Sequence, residues 1–225
     1  MEEGKEIKIL KIEDLTHDVR RYRCEKPENY QFTPGQATEV SLKKEGWKEE
    51  KRPFTFTSLP EDDHLEFTIK SYPDHDGATE QIGKAEEGDA FLIGESWGAI
   101  EYKGPGLFLA GGAGITPFIS IIRMLEAKGE TDRNALVFSN KTAKDVIMHD
   151  YWREVFGQNY LSTLTAEKKQ GHEHHRITKN WLAENVSNLQ QYFYICGPNQ
   201  MVFDLHDALC ELGVADPKIV NEDLQ

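Results

Sequence analysis

The stretch Leu107-Phe108-Leu109-Ala110-Gly111-Gly112-Ala113-Gly114-Ile115-Thr116-Pro117 joins a short apolar run to a glycine turn. The apolar run predicts a buried strand, and the segment Thr116–Lys128 that follows predicts an amphipathic helix ending at Gly129. Glycines at positions 112 and 114 let a backbone approach a pyrophosphate, and the first turn of a helix favours an anion. This stretch therefore predicts a phosphate-binding turn within an α/β domain.

Strand and helix patterns alternate after this turn. The predicted strands are Ala135–Phe138, Tyr160–Leu164, Tyr192–Ile195 and a short one near Ile219-Val220, and the predicted helices between them are Ala143–Phe156, Thr178–Val186 and Asn199–Leu212. Repeated β–α units predict a parallel sheet with helices on both of its faces.

The residues before the turn have a different pattern. Apolar and polar residues alternate at Ile7–Ile12, Ala37–Leu42 and Leu65–Lys70, with turn residues such as Pro34-Gly35 and Pro60–Asp63 between them. Several short strands at this spacing predict a small antiparallel barrel. We place the boundary near Lys103-Gly104, which gives one domain over residues 1–103 and a second over 104–225.

Composition limits the classes of function. The chain has 225 residues and a net charge of −13, which disfavours binding to nucleic acid or to an anionic membrane. It has no apolar run of about 18 residues to span a membrane, and the acidic N-terminus does not resemble a secretory signal, so we expect a cytoplasmic protein. Cys24, Cys196 and Cys210 are too few and too widely spaced for a disulfide framework or a plant-type iron–sulfur cluster.

A second motif lies in the first half of the chain, at Arg52-Pro53-Phe54-Thr55-Phe56-Thr57-Ser58. The planar guanidinium of Arg52 can bind a phosphate, and Phe54 lies on the same strand face and can stack on a flat ring. The hydroxyl of Thr55 can donate to a ring nitrogen. Taken alone, the motif is more typical of a barrel strand with an exposed arginine.

Three motifs together resemble the ferredoxin–NADP reductase superfamily. Arg52–Ser58 is similar to its Arg-x-Tyr-[Ser/Thr]-x-x-[Ser/Thr] motif, with Phe54 in place of tyrosine. Gly111–Pro117 is similar to its Gly-Gly-x-Gly-[Ile/Thr]-[Thr/Ala]-Pro motif, and Tyr192–Met201 to its apolar strand ending in Cys-Gly-Pro-x-x-Met. The resemblance runs from about Ile7 to Leu224 and is closest to compact bacterial flavodoxin or ferredoxin reductases without an iron–sulfur domain.

This resemblance implies a six-stranded antiparallel barrel that binds FAD and an α/β domain that binds NAD(P)H. The implied flavin-binding residues are Arg52, Pro53, Phe54, Thr55, Ser58, Ile69, Lys70, Tyr72, Gly77, Ala78 and Thr79. The implied nicotinamide-nucleotide residues are Gly112, Gly114, Thr116, Ser139, Lys141, Gly197, Pro198 and Met201. The turn at residues 77–79 suits a pyrophosphate, which favours FAD over FMN.

The implied reaction is hydride transfer from the nicotinamide to the flavin, followed by release of single electrons to a separate acceptor such as flavodoxin, ferredoxin or a small molecule. The resemblance assigns Thr55 to the flavin N5 and Cys196 to the nicotinamide pocket. It places Glu222 where relatives have an active-site carboxylate, although a solvated tail is an equal alternative. We expect NADPH because Ser139 and Lys141 can hold a 2′-phosphate, with NADH as the alternative.

Other interpretations stay open. The chain could be a nucleotide-binding regulatory or electron-transfer subunit without turnover, or a reductase that releases free flavin. Three histidines occur within Gly171–His175, for which we expect a solvated loop rather than a metal site. We expect a monomer.

Overall fold

The computed structural model describes residues 4–72, 77–98 and 100–222 of the chain. These residues form a six-stranded antiparallel sheet followed by a five-stranded parallel sheet. The predicted fold class, an antiparallel barrel followed by an α/β domain, is therefore confirmed. The predicted boundary at residues 103–104 stays a prediction, and it falls between the last strand of the first sheet and the first strand of the second.

The antiparallel sheet curls into a nearly closed barrel in the order β4-β3-β6-β1-β2-β5. Its strands are β1 (Lys5–Asp14), β2 (Val19–Glu25), β3 (Ala37–Leu42), β4 (Arg52–Thr55), β5 (His64–Lys70) and β6 (Ala90–Ile93), with helix α1 (Ala78–Gly83) between the last two. The residues just after β4 bring the two ends of the sheet together. Phe56 bridges to Phe67, and the Thr57 N–H donates to the Glu66 carbonyl (2.8 Å).

Alternation along β5 decides what fills the barrel. Leu65, Phe67 and Ile69 point inward and are buried, and the Phe67 ring lies 5.2 Å from that of Phe56. Burying each of these side chains stabilises the fold by roughly 1.5–3 kcal/mol. The other face of β5 is buried as well, so a half-solvated strand, which such alternation normally indicates, is not what the structure contains.

The parallel sheet has the strand order β11-β10-β7-β8-β9. Its strands are β7 (Gly106–Gly111), β8 (Ala135–Asn140), β9 (Tyr160–Leu164), β10 (Tyr192–Cys196) and β11 (Ile219–Val220); its helices are α2 (Thr116–Lys128), α3 (His149–Phe156), α4 (Lys179–Asn185) and α5 (Asn199–Glu211). The central strand β7 is buried at every position because helices cover both faces. Phe108 packs on the α2 and α3 side, whereas Leu107 and Leu109 pack on the α4 and α5 side.

One predicted helix is interrupted, which corrects the prediction for Ala143–Phe156. A 3-10 turn covers Ala143–Asp145, and α3 begins only at His149. Thr142 and Asp145 form a capping box at the start of this turn, and Met148, just before α3, adopts a left-handed conformation with φ 56°. Helical turns therefore occur on both sides of residues 146–148, but hydrophobic periodicity does not show the interruption between them.

Helix α2 joins the two halves of the molecule. The Gly35 N–H donates to Ser120 Oγ (3.0 Å), and Arg123 Nη1 donates to the Thr57 carbonyl (2.6 Å). Val19 of β2 lies in the same apolar cluster as α2. Gly35 lies just before β3 and Thr57 lies just after β4. Because these contacts join both places in the barrel to the helix after the glycine turn, they fix how the two halves of the molecule face each other.

We predict that Gly35→Ala lowers the thermal midpoint more than Gly46→Ala does. Both glycines have a positive φ (+99° and +81°), which costs an alanine about 1–2 kcal/mol. A Cβ at Gly35 would in addition lie 2.2 Å from the Ile100 carbonyl oxygen, whereas one at Gly46 meets nothing within 4 Å. Thermal unfolding followed by circular dichroism checks this, and equal shifts for the two variants would contradict it.

Candidate functional site

The two glycine-containing turns of the second half are locked together at the carboxyl edge of the parallel sheet. A Cβ at Gly114 would lie 2.4 Å from the carbonyl carbon and oxygen of Cys196 and 2.5 Å from the nitrogen of Gly197. A Cβ at Gly111 would lie 2.5 Å from Met201 Sδ. Only glycine permits this approach, so the structure brings the predicted residues Gly114, Cys196, Gly197 and Met201 into one place.

The backbone at Gly112 faces open space. This glycine has φ +53°, and a Cβ built on it meets nothing within 4 Å. Helix α2 begins four residues later with Pro117 in its first turn, and Thr116 Oγ1 donates to the Ala113 carbonyl (3.0 Å). The turn therefore offers an open, narrow backbone surface next to the amides of a 13-residue helix, which fits a pyrophosphate.

Cys196 and Glu222 lie at the same level of the sheet edge. Tyr194 pairs with Val220 in a parallel register, and continuing that register by two residues sets Glu222 beside Cys196. Burial, and then the nearby Glu222 carboxylate, raise the pKa of the Cys196 thiol. Partial desolvation raises the pKa of the Glu222 carboxyl, although its side chain remains exposed. The thiol is thus an uncharged group at neutral pH.

The barrel presents the Arg52–Thr55 strand at its edge. Arg52 is half exposed and bonds to the Lys51 carbonyl (2.7 Å) and to the equally exposed Glu50 carboxylate (3.2 Å). Such surface pairs contribute little, so the guanidinium can exchange this partner for a phosphate. Pro53 is exposed and Phe54 is half buried against the barrel core.

Thr55 and Ser58 differ in their surroundings. Thr55 is 8% exposed, and among the residues that the structure describes its hydroxyl has no hydrogen-bond partner. Ser58 is fully buried, and its Oγ accepts the Glu66 N–H (3.0 Å). Ile69 is also buried inside the barrel. The structure therefore does not bring the side chains of Ser58 and Ile69 to the surface with Phe54, and their predicted contacts stay predictions.

The remaining predicted flavin residues surround α1 and the end of β5. Lys70 Nζ lies 2.9 Å from Asp18 Oδ2, and Tyr72 is exposed. Gly77 is the N-cap of α1, Ala78 is buried and Thr79 is half buried. The predicted turns at residues 73–74 and 76 lie outside the described residues, as do Leu224 and Gln225.

Residues at the end of β8 lie beside the glycine turn, since Ser139 pairs with Gly111. Lys141 is exposed, as expected for a residue that contacts a phosphate. Sequence reasoning missed Asn140, which is 5% exposed and whose side-chain nitrogen and oxygen both lack a hydrogen-bond partner among the described residues. It also missed Glu167, whose carboxylate accepts the Ala143 N–H (2.8 Å). An asparagine ending an apolar strand was a usable signal; Glu167 had none.

The histidines of residues 171–175 have separate partners. His172 Nδ1 lies 2.8 Å from Ser162 Oγ, and its ring stacks on His149. His174 Nδ1 lies 2.8 Å from the Glu167 carbonyl, and the His175 ring stacks on Trp181. The expectation of no metal at these histidines stays a prediction.

A search of the described ranges found no helix with both the length and the apolar character required to cross a bilayer. This result agrees with the sequence, in which apolar runs are short.

Both halves match known protein families. Residues 4–87 match a family described as an FAD-binding domain, and residues 108–207 match the oxidoreductase NAD-binding domain. An antiparallel barrel and a parallel sheet that match these two families define a flavin- and nicotinamide-nucleotide-binding class of protein. These two matches, in this order along the chain, agree with the resemblance to the ferredoxin–NADP reductase superfamily that the motifs predicted.

Solved structures show the same fold. A ferredoxin NADP⁺ reductase from Neisseria gonorrhoeae, with bound FAD and NADP, superposes with a TM-score of 0.84 at 23% identity and 99% coverage of both chains. The flavohem-like FAD/NAD-binding domain of nitric oxide dioxygenase from Vibrio cholerae O1 biovar El Tor also gives 0.84, at 18% identity and 98% coverage of both chains.

Similar sequences occur among longer reductases. The ferredoxin–NAD(P)⁺ reductase component of the naphthalene 1,2-dioxygenase system of Pseudomonas putida is 24% identical over 220 residues, which cover 94% of this chain and 66% of the relative. The reductase component of the naphthalene 1,2-dioxygenase/salicylate 5-hydroxylase systems of Ralstonia sp is 24% identical over 92% of this chain and 64% of its own length. The chain thus spans less than two thirds of either relative.

We predict that NAD⁺ protects Cys196, but not Cys210, from alkylation. The pKa of both thiols is raised, but Cys210 is exposed, whereas burial is the main cause for Cys196 and leaves it little thiolate at pH 8. Iodoacetamide should therefore modify Cys210 first, and modification of Cys196 should increase with pH. Mass spectrometry of peptides measures both rates, and a Cys196 rate that NAD⁺ leaves unchanged would contradict its place in the nicotinamide pocket.

Proposed function

We propose that the protein is an FAD-dependent NAD(P)H reductase that passes electrons to a separate acceptor. The observation that carries this proposal is the close contact between the glycine turn and the Cys196–Met201 turn. The glycine turn leads into the N-terminus of helix α2, and α2 is itself fixed to the barrel. Two nucleotide sites joined by one rigid helix suit the transfer of a hydride between two cofactors.

In this proposal the chain's own residues position the two cofactors. Arg52 binds a flavin phosphate, Phe54 covers the ring, and Thr55 offers its hydroxyl to the ring edge. Gly112 and Gly114 admit the nicotinamide pyrophosphate. Held by these residues, FAD would supply the conversion of a two-electron hydride transfer into one-electron steps.

Cys196 and Glu222 shape the nicotinamide pocket in this proposal. The protonated thiol gives an uncharged wall, so it does not oppose the change of charge on the nicotinamide during transfer. Partial desolvation raises the pKa of the Glu222 carboxyl, which lies at the mouth of the pocket in this proposal. The register of β10 and β11 supports this placement.

The acceptor in this proposal is a small redox protein of the ferredoxin or flavodoxin type, or a small molecule. Relatives named as reductase components of dioxygenase and propane 2-monooxygenase systems support such a partner. Three free cysteines suit a reducing compartment, so we place the protein in the cytoplasm. We infer a monomer.

In this proposal, residues at the end of β8 determine whether the protein uses NADPH or NADH. A carboxylate near the ribose favours a free 2′-hydroxyl, and a basic residue favours a 2′-phosphate. Lys141 supports NADPH. The Glu167 carboxylate, which accepts the N–H of Ala143 just after Lys141, supports NADH. The ratio of kcat/KM for the two donors decides between them.

Anaerobic reduction tests the proposed function. The purified protein should be yellow, and addition of NADH or NADPH should bleach its absorbance near the flavin maximum within seconds. A colourless protein that stays without flavin when FAD is added would instead favour a regulatory subunit. Release of reduced flavin into an ultrafiltrate would favour the free-flavin reductase.

We predict that Arg52→Ala lowers flavin occupancy while leaving the fold intact. Removing the guanidinium removes a charge-assisted bond to a phosphate, which is worth about 1.5–3 kcal/mol, so the Kd for FAD should rise about 10-fold or more. FAD per chain after gel filtration measures this. Arg133→Ala, which changes an exposed arginine at the opposite edge of the sheet, is the control. Full occupancy in Arg52→Ala would refute the role of Arg52.

A further inference from the structure

A buried carboxylate lies between the barrel and helix α2. Glu66 is on β5, on the face opposite to Leu65 and Phe67, and is 1% exposed. Its Oε1 accepts the hydroxyl of Thr57 (2.9 Å) and Nη1 of Arg123 (2.8 Å). Glu66 is thus a residue of a barrel strand whose carboxylate lies in the contact between the barrel and α2.

Arg123 connects this carboxylate to both nucleotide-binding segments. It lies on α2, two turns after the glycine turn, and the same Nη1 also donates to the Thr57 carbonyl (2.6 Å). Thr57 follows the Arg52–Thr55 strand by two residues. A single guanidinium therefore holds the segment that follows the flavin strand and the helix that carries the nicotinamide phosphate turn.

A second arginine extends the same cluster to helix α3. Arg21 Nε lies 3.6 Å from Glu66 Oε1, and Arg21 Nη2 lies 3.2 Å from the Met148 sulfur. Met148 immediately precedes α3 and has φ 56°, a conformation that a non-glycine side chain rarely adopts. Arg23 Nε lies 3.5 Å from Glu66 Oε2. Glu66 is therefore the common partner of three arginines.

The charges of this cluster indicate that it fixes the relative placement of the barrel and α2. Burial alone would raise the pKa of Glu66, but Arg123 and Arg21 lower it more, so that the carboxyl is ionised at neutral pH. A buried ion pair is often no more stabilising than apolar residues of the same volume. Its hydrogen bonds are directional, however, so it fixes one relative placement of the barrel and α2.

We propose that Glu66 and Arg123 are positioning residues that set the distance between the flavin and the nicotinamide. Thr57 transmits this placement to the flavin strand and α2 transmits it to the glycine turn. The proposal rests on the proposed function, because it concerns the hydride transfer of that same cleft. Since a misplacement of about 1 Å can slow a reaction by about 100-fold, a small shift at this contact is enough to affect the rate.

The test compares Arg123→Gln, Arg123→Lys and the unchanged protein, all loaded with FAD. Stopped-flow mixing with NADH or NADPH under anaerobic conditions gives the rate constant of flavin reduction at saturation and the Kd of the nucleotide. Arg123→Gln should slow reduction by about 10- to 100-fold and leave the Kd within about twofold. Arg123→Lys keeps a charge with a shorter reach, so its rate should lie between the two.

Arg133→Gln is the matched control, because it is the same substitution at an exposed position after the far end of α2. It should leave both the rate and the Kd unchanged. A purely structural role for Arg123 would lower the thermal midpoint without changing the reduction rate of the folded protein. In the double variant Glu66→Gln/Arg123→Gln, the increase in the activation free energy of reduction should be smaller than the sum of the increases in the two single variants, since both changes break the same contact.

A reduction rate of Arg123→Gln within twofold of the unchanged protein would overturn the proposal, and so would a slower rate explained by weaker nucleotide binding. If Arg123→Gln does not hold FAD, Arg123→Lys decides in the same way: a slower rate at unchanged Kd supports positioning, and an equal rate overturns it. An unchanged protein that neither NADH nor NADPH reduces would instead refute the proposed function.

Discussion

Helix α2 has to meet two requirements at once, and this constraint organises the molecule. Its first residues follow a glycine turn that the Cys196–Gly197 backbone touches, where no Cβ fits. Its middle residues, Ser120 and Arg123, bond to the barrel at Gly35 and Thr57. Because one rigid helix carries both contacts, the barrel edge and the sheet edge face each other in a fixed arrangement.

The two contacts differ in physical character. The glycine turn meets its neighbour through backbone atoms, and it depends on the absence of side chains. The contact with the barrel depends on charge, with the buried Glu66 carboxylate surrounded by arginines. The first kind of contact leaves room for a ligand, and the second resists displacement, since separating Arg123 from Glu66 would leave a buried charge unpaired.

Local patterns predicted β1, β3 and β5 of the barrel, the strands of the parallel sheet and helix α2, because these depend on nearby residues, but they did not indicate β2 or β6. The helix pattern failed at Met148, whose left-handed backbone is not visible in hydrophobic periodicity. Alternation marked Leu65–Lys70 as a strand, but it does not show that Glu66, on the face opposite to Leu65 and Phe67, is buried beside α2. No sequence signal links Glu66 to Arg123, since their contact depends on how two folded halves meet. Glu222 could be placed only once β11 had paired with β10.

The most direct test of this account is a crystal structure of the protein with FAD and a non-reactive reduced nicotinamide analogue. The account predicts that flavin N5 and nicotinamide C4 lie about 3–3.5 Å apart, the range for direct transfer, with Phe54 and Thr55 on the flavin side and Cys196 on the nicotinamide side. Rings bound at separate places, or a flavin outside the cleft between barrel and sheet, would contradict it.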